Sequence, residues 1–312
     1  MITGGCGCIG SVVLQEWTAA YPGTHFVNLD KLTYAARPDA VSGSNYTLVQ
    51  GDICDADLVS YVLEAHRPTL LLHLAAESHV DTSFGNSMVF SRTNILGTHT
   101  LLECARKYGQ LRMFLHMSTD EVYGEVVEGE CSESSVLAPT NPYAGSKAAA
   151  EMLCHAYHKS FGLPVVIARC NNAVSPFQHV EKLIPRCVDC VLRGAKIPVQ
   201  GDGSSRRTFI HARDIARALA VMAERAEPGR VFNIGNHSGQ EYTVVQVIQK
   251  VLSVMGVDGP WEDWAVHVPD RAFQDRRYGI DSSALRSLGW SECYTLEDGI
   301  REVWDERKNN TA

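Results

Sequence analysis

The run Gly4-Gly5-Cys6-Gly7-Cys8-Ile9-Gly10, with glycine at three positions spaced by three and an apolar helical pattern directly after it, constrains this chain more than any other feature. The first glycine of such a run permits a tight turn, the second lets backbone approach a pyrophosphate, and the third lets a helix pack on a strand. A glycine turn alone is weak grounds for a site. Here the next strand pattern closes on Asp30, about 20 residues on, where a carboxylate can accept hydrogen bonds from adenosine ribose hydroxyls and repel a 2′-phosphate. The pair of signals points to a dinucleotide site that takes NAD rather than NADP, with Asp52, after the third strand pattern, placed for the adenine edge. Only Met1 and Ile2 precede Thr3, so the first strand, central in such a sheet, has almost no length.

Apolar runs of strand length at 25–29, 46–50, 69–73, 112–117 and 165–169 alternate with helical spacing at 9–20, 57–66, 87–107 and 142–161. That alternation predicts a doubly wound α/β fold, a parallel sheet covered by helices on both faces. After residue 170 the pattern is cut by Pro176, Pro185, Pro198, Pro228, Pro260 and Pro269, as expected of a smaller mixed α/β unit capping the carboxyl ends of the strands, where ligands bind. The expected division is 1–170 for the dinucleotide, with 208–235 returning to it, and mainly 171–312 for the substrate. Residues 308–312 read as a frayed end.

A formal net charge of −8 argues against a surface that coats nucleic acid or anionic membrane, so any phosphate has to be met by a local site. No apolar stretch approaches the ~20 residues of a membrane span and no signal peptide is seen, which makes the cytoplasm the expected compartment. The ten cysteines are scattered through apolar segments and read as buried free thiols, including Cys187-Val188-Asp189-Cys190, whose spacing has no second ligand pair. The sequons at Asn45 and Asn236 carry no weight without a secretory signal. The histidines, His79 and His116 among them, show no metal-ligand spacing, so no metal is expected.

Two stretches carry chemistry. Ser118-Thr119-Asp120-Glu121-Val122-Tyr123-Gly124 follows a strand, and Asn141-Pro142-Tyr143-Ala144-Gly145-Ser146-Lys147 opens a helix. Tyr143 and Lys147 at i and i+4 share a helical face, where the ammonium can lower the phenol pKa and leave a base suited to hydride chemistry at an alcohol. Two adjacent carboxyl groups make sense where one acts as acid and the other as base.

These residues resemble the extended short-chain dehydrogenase/reductases and, within them, the nucleotide-sugar 4,6-dehydratases, over nearly the whole chain. The resemblance rests on Asn28-Leu29-Asp30-Lys31-Leu32-Thr33-Tyr34, Leu74-Ala75-Ala76-Glu77-Ser78-His79-Val80-Asp81, 118–124, Asn141-Pro142-Tyr143, Glu181-Lys182-Leu183-Ile184-Pro185 and Arg276-Arg277-Tyr278. The Thr-Asp-Glu triplet is its most diagnostic element, since related 4-epimerases and reductases eliminate nothing. The resemblance implies a Rossmann-type fold and an NAD-dependent lyase. Tyr143, assisted by Lys147 and Thr119, would take the proton of the sugar 4-hydroxyl as hydride passes to NAD. Glu121 would take the proton from carbon 5 and Asp120 would protonate the departing 6-hydroxyl, after which the stored hydride returns at carbon 6.

It also implies cofactor contacts from Gly4, Gly7, Cys8, Ile9, Gly10, Asp30, Lys31, Thr33, Asp52, Ile53, Leu74, Ala75, Ala76, Ser78, Thr93, Tyr143 and Lys147. Substrate contacts would come from Ser78, Thr119, Asn172, Lys182, Leu183, Arg207, Arg277 and Tyr278. The sequence departs from the family at Asn172-Ala173-Val174-Ser175-Pro176, where an aromatic and a glycine usually precede the proline. Ser83-Phe84-Gly85-Asn86-Ser87, Gly109-Gln110-Leu111-Arg112, Gly201-Asp202-Gly203-Ser204 and Arg271-Ala272-Phe273-Gln274-Asp275 look closest to UDP-glucose dehydratases of rhamnose formation. UDP-glucose is therefore favoured over dTDP-glucose, although one methyl group separates the bases and dual use stays open. A 4-epimerase and a non-catalytic NAD or nucleotide-sugar binding protein remain the alternatives. Family members commonly dimerise through the two long helices, here 87–107 and 142–161, which implies a homodimer.

Overall fold

The computed structural model describes residues 1–236 and 240–311; the second and third residues of the Asn236 sequon and Ala312 lie outside the described residues. The first 170 residues form β1 (Ile2–Thr3), α1 (Cys8–Ala20), β2 (Phe26–Asp30), β3 (Tyr46–Gln50), α2 (Ala56–His66), β4 (Leu70–His73), α3 (Val80–Gly85), α4 (Ser87–Phe90), α5 (Thr98–Tyr108), β5 (Met113–Thr119), α6 (Pro142–Phe161) and β6 (Val165–Cys170). There follow β7 (Asn172–Val174), α7 (Leu183–Leu192), β8 (Ile197–Gln200), β9 (Arg206–His211), α8 (Ala212–Arg225), β10 (Val231–Ile234), β11 (Glu241–Thr243), α9 (Val244–Val254), β12 (Ala265–Val268), α10 (Ser283–Ser287) and α11 (Leu296–Thr311).

Seven strands make one parallel sheet in the order β10-β6-β5-β4-β1-β2-β3. Every residue of β2, β5 and β6 is buried, as a parallel sheet covered on both faces requires. On one face Leu14 and Trp17 of α1 pack with Ile215 and Leu219 of α8; on the other Val62 of α2, Leu102 of α5 and Cys154 of α6 share a second core. A third core, with Ile184, Val188, Val251 and Ile300, lies among α7, α9 and α11 beside the small sheets β11-β9-β7 and β12-β8. Strand β1 is a stub, yet Ile2 pairs with Asn28 and Leu72, and Thr3 with Leu29 and His73, so two residues bridge the halves of the sheet. The strand order reverses there, between β1 and β4, which is where such sheets open a ligand crevice.

The boundaries differ from the sequence reading in a few places. The expected helix over 87–107 is broken into α4, a wide π turn at Ser91–Gly97, and α5. In that turn Asn94 is buried and bonds Glu77 through both its amide N–H and its carbonyl, and also the Ser146 hydroxyl; these polar partners compete with a regular helix for the segment. Strand β5 continues two residues past 117, taking in Ser118 and Thr119 by pairing with Arg169 and Cys170. The frayed end expected from 308 is helical through Thr311.

Candidate active site

One cleft of about 450 Å³ runs across the carboxyl ends of the strands from the glycine turn to α7 and β8, a volume suited to sizeable ligands. At one end lies the glycine turn. Gly4 has φ +70°, and a Cβ there would come within 2.5 Å of Ala75 Cα; at Gly10 it would come within 2.4 Å of the Gly4 carbonyl. Neither position admits a side chain without moving backbone. Gly7 caps α1, so the first-turn amides of that helix have no intrahelical partner and face the cleft with the positive end of the helix dipole. Asp30 accepts the Cys6 amide at 2.8 Å and the Leu32 amide at 2.8 Å, so one carboxylate both braces the glycine turn and faces the cleft. Asp52 pairs with Lys31 at 2.9 Å and accepts the Cys54 amide.

Of the residues expected at the cofactor, Gly4, Gly7, Cys8, Ile9, Gly10, Asp30, Lys31, Thr33, Asp52, Ile53, Leu74, Ala75, Ala76, Ser78, Thr93, Tyr143 and Lys147 all line this cleft. Where the sequence departs from the family pattern, Ser175 is buried and its hydroxyl donates to the Cys8 carbonyl at 3.0 Å, tying the end of β7 to the start of α1.

The reactive side chains meet midway along the cleft. Strand β5 ends at Thr119, whose hydroxyl accepts the Glu121 amide and donates to Asp120 Oδ1 at 3.2 Å, closing a 3₁₀ turn over Asp120–Tyr123. Asp120 is 2% exposed, and its Oδ2 accepts the Asn171 side-chain amide at 2.6 Å. Burial and the charge of Glu121 push the Asp120 carboxyl up to about 7. Glu121 is also raised by burial, but a 3.0 Å bond from the Asn141 side-chain amide and the charges of Arg207 and Lys182 oppose this. Both carboxyls are thus raised, Asp120 to about 7, while Asn141, Arg207 and Lys182 limit the rise at Glu121.

Helix α6 begins at Pro142 because Asn141 caps it, accepting the Ala144 amide at 2.8 Å, and proline is tolerated in the first turn. The helix presents Tyr143 and Lys147 to the cleft. Burial brings Lys147 down to about 8, and its Nζ donates to the Met117 carbonyl at 2.6 Å. The Tyr143 phenol is pushed up by burial and by the charges of Glu121 and Asp120. The direction is opposite to that drawn from the Tyr/Lys spacing, because burial and the neighbouring carboxyl charges outweigh the hydrogen bond from Thr119 that lowers it.

Of the expected substrate contacts, Ser78, Thr119, Asn172, Lys182, Leu183, Arg207 and Tyr278 line the cleft. Lys182 donates to the Ser78 carbonyl at 2.6 Å, and Arg207 lies over the Tyr278 ring at 4.6 Å. Arg277 is absent from the cleft lining: Glu241 engages its guanidinium, with Nε 2.8 Å from each carboxylate oxygen, and the Gly129 carbonyl takes Nη1 at 2.6 Å. Arg271 and Gln274 line the cleft instead, and Arg271 Nε and Gln274 Oε1 are buried with no hydrogen-bond partner among the described residues. Asn141 and Asn171, whose amides bond Glu121 and Asp120, were not among the expected site residues. Asn141 carried a cap signal in the Asn-Pro that opens a helix, whereas Asn171 carried none. Among the described residues no group of three His, Cys, Asp or Glu side chains is placed to hold a metal.

The model of the GDP-mannose 4,6 dehydratase family matches residues 1–303. A trifunctional UDP-glucose 4,6-dehydratase/3,5-epimerase/reductase of Arabidopsis thaliana is 42% identical over 98% of the chain, which spans 46% of that relative, so the chain covers about half the length of the curated plant relatives it matches. A dTDP-glucose 4,6-dehydratase from Streptomyces venezuelae, crystallised with NAD, is 37% identical with a TM-score of 0.93, covering 99% of this chain and 96% of that one. A UDP-glucose 4-epimerase of Thermotoga maritima has a TM-score of 0.91 at 27% identity, over 100% and 99% of the two chains. Because that model spans nearly the whole chain, residues 1–303, the chain belongs to the GDP-mannose 4,6 dehydratase family.

Proposed function

We propose that the chain is an NAD-dependent hydro-lyase that converts a nucleoside-diphosphate glucose, UDP-glucose in preference to dTDP-glucose, to its 4-keto-6-deoxy derivative, the first step towards rhamnose-type sugars. The observation that carries this is the adjacency of Asp120, raised to about 7, and Glu121, bonded by the Asn141 amide, in the same cleft as Tyr143 and Lys147. The braced glycine turn, the free first-turn amides of α1 and Asp30 fit NAD, and in this reading residues 1–170 with 208–235 hold it while 171–312 mainly hold the sugar nucleotide. The orphaned Arg271 Nε and Gln274 Oε1 fit a polar ligand at the far end. When bound, NAD supplies a hydride acceptor for sugar carbon 4 and returns that hydride at carbon 6.

Tyr143, as phenolate beside Lys147 and Thr119, takes the 4-hydroxyl proton. The ketone so formed acidifies carbon 5, from which Glu121 takes the proton. Asp120 gives its proton to the 6-hydroxyl, which leaves as water with its bonding electrons, and the double bond forms between carbons 5 and 6; Glu121 then returns its proton to carbon 5 as hydride adds at carbon 6. Incubation with UDP-glucose and, separately, dTDP-glucose should give products lighter by one water in mass spectra, with Glu121→Gln abolishing the loss. An unchanged mass with inversion at carbon 4 would favour an epimerase, and unchanged sugars with bound NAD a binding protein. Because Asp120 must be protonated, turnover should fall as pH rises through about 7, a limb that a pH–rate profile should show and that Asp120→Asn should remove.

The reading includes a homodimer through the helices at 87–107 and 142–161, supported by exposed Met88, Leu96, Met152 and Phe161 on them. Light scattering should give twice the chain mass, and Met152→Glu with Phe161→Glu should halve it. Cytoplasmic residence, supported by ten free cysteines, is checked by fractionation. Among the described residues no helix is long and apolar enough to cross a membrane.

A further inference from the structure

The two reactive pairs sit on different elements: Asp120 and Glu121 in the turn after β5, Tyr143 and Lys147 in the first turns of α6. Asn141 bonds to both elements at their reactive ends. Asn141 Oδ1 accepts the Ala144 amide at 2.8 Å and so caps α6, while its Nδ2 donates to Glu121 Oε2 at 3.0 Å, 20 residues away in the chain. Asn141 is 8% exposed. Its carbonyl oxygen is committed to the helix, which fixes the amide orientation: the oxygen cannot face Glu121, and the two N–H groups must point toward it.

We propose that Asn141 is a positioning residue that locks the base of the elimination step, Glu121, to the helix bearing the base of the oxidation step, Tyr143, so that both bases address one bound sugar. This rests on the proposed dehydratase reaction. The groups around Glu121 leave little else to do so. Tyr278 lies 3.4 Å from the same Oε2, but its phenol donates to Asp275 Oδ2 at 2.5 Å, and Thr140 donates to that same oxygen at 2.7 Å. Arg207 and Lys182 act on Glu121 by charge alone, while Asp120 and Asp275 are further acidic neighbours.

The chemistry of the cap separates the two duties of Asn141. Serine and aspartate both cap helices well, yet neither offers an amide donor to Glu121. Asn141→Ser therefore keeps α6 and loses the link. Asn141→Asp keeps α6 and sets a second carboxylate against Glu121, so the two share a proton and the pair's folded-state pKa rises.

With UDP-glucose as probe, Asn141→Ser should lower kcat by roughly 10–100-fold with little change in KM, because a misplaced base costs rate rather than binding. Absorbance at 340 nm should still rise in a single turnover, since oxidation at carbon 4 precedes the step that Glu121 serves. In Asn141→Asp the acid limb of the pH–rate profile should move up by about one pH unit or more. Unfolding midpoints of wild type, Asn141→Asp, Glu121→Gln and the double variant, at pH 5 and pH 8, test the contact without turnover. A carboxyl pair whose folded pKa is raised loses stability as pH rises through that pKa, so Asn141→Asp should be weakened more at pH 8 than at pH 5 and rescued by Glu121→Gln. Wild-type kcat in Asn141→Ser, or effects of Asn141→Asp and Glu121→Gln that simply add at both pH values, would overturn the proposal. A wild-type protein that dehydrates neither sugar would count against the proposed function instead, and the unfolding cycle would still decide the role of Asn141.

Discussion

Tyr143→Phe is expected to lower turnover by about 10²–10⁴-fold, with no rise in absorbance at 340 nm during a single turnover. The expectation follows from the order of events in the cleft. The 4-hydroxyl proton must leave as its carbon is oxidised, and only the ketone so formed makes the carbon 5 proton acidic enough for Glu121. Removing the phenol oxygen therefore stops both halves. Glu121→Gln should leave the first half running, so absorbance at 340 nm accumulates while no water is lost. Tyr143 lies against Phe90 in an edge-to-face contact with centroids 6.3 Å apart, which phenylalanine preserves, so folding should be unaffected. Burial and the charges of Glu121 and Asp120 push the phenol up. A Tyr143→Phe protein that still developed the 340 nm band at the wild-type rate would remove Tyr143 from the reaction.

What was legible in the sequence was whatever short spacing determines. The glycine turn, the helix that opens at Asn141-Pro142, and the i, i+4 relation of Tyr143 and Lys147 are local, and each is where its spacing put it. Near-continuous apolar runs exposed β2, β5 and β6, because parallel strands bury both faces. The π turn at Ser91–Gly97 was hidden, since it is stabilised by Asn94 reaching Glu77 and Ser146 rather than by any local pattern. The same holds for Asn171, which meets Asp120 only because β6 lies beside β5. Arg277 went elsewhere for a related reason: its destination depends on Glu241, 36 residues earlier, carried to it by β11. Arg271 and Gln274 were visible as part of a stretch resembling UDP-glucose enzymes, but their orphaned polar atoms are a property of burial, which no spacing encodes.

Overall architecture does not choose the reaction. The 4-epimerase and the 4,6-dehydratase compared above share this fold almost equally, with TM-scores of 0.91 and 0.93. The choice rests on two side chains in one turn, and the sheet's contribution is to carry that turn and the start of α6 to the same crevice.

Replacing Arg169 by Met is expected to destabilise the fold by roughly 3–5 kcal/mol, the cost of leaving a buried charge without its partner. Arg169 on β6 is 3% exposed and Glu151 on α6 is fully buried; their closest approach is 2.6 Å, and Arg169 Nη1 also donates to the Tyr123 hydroxyl at 2.7 Å and the Glu133 carbonyl at 3.1 Å. Tyr123 in turn donates to Asn233 on β10 at 2.8 Å. The pair thus joins α6, β6, β10 and the 3₁₀ turn that bears Asp120 and Glu121, directly behind the reactive groups. Met fills the stem of arginine but leaves Glu151 facing an apolar wall, so the carboxylate must either remain unpaired or take up a proton. At ~2–4 °C per kcal/mol for chains of 150–250 residues, the melting temperature should fall by on the order of 10 °C. The double variant Arg169→Met/Glu151→Leu should recover much of that loss, because removing both charges removes the desolvation cost along with the attraction. Thermal unfolding of the three proteins at fixed pH separates the possibilities: a double variant no more stable than Arg169→Met would show that the hydrogen bonds to Tyr123 and Glu133, not the unpaired charge, account for the effect.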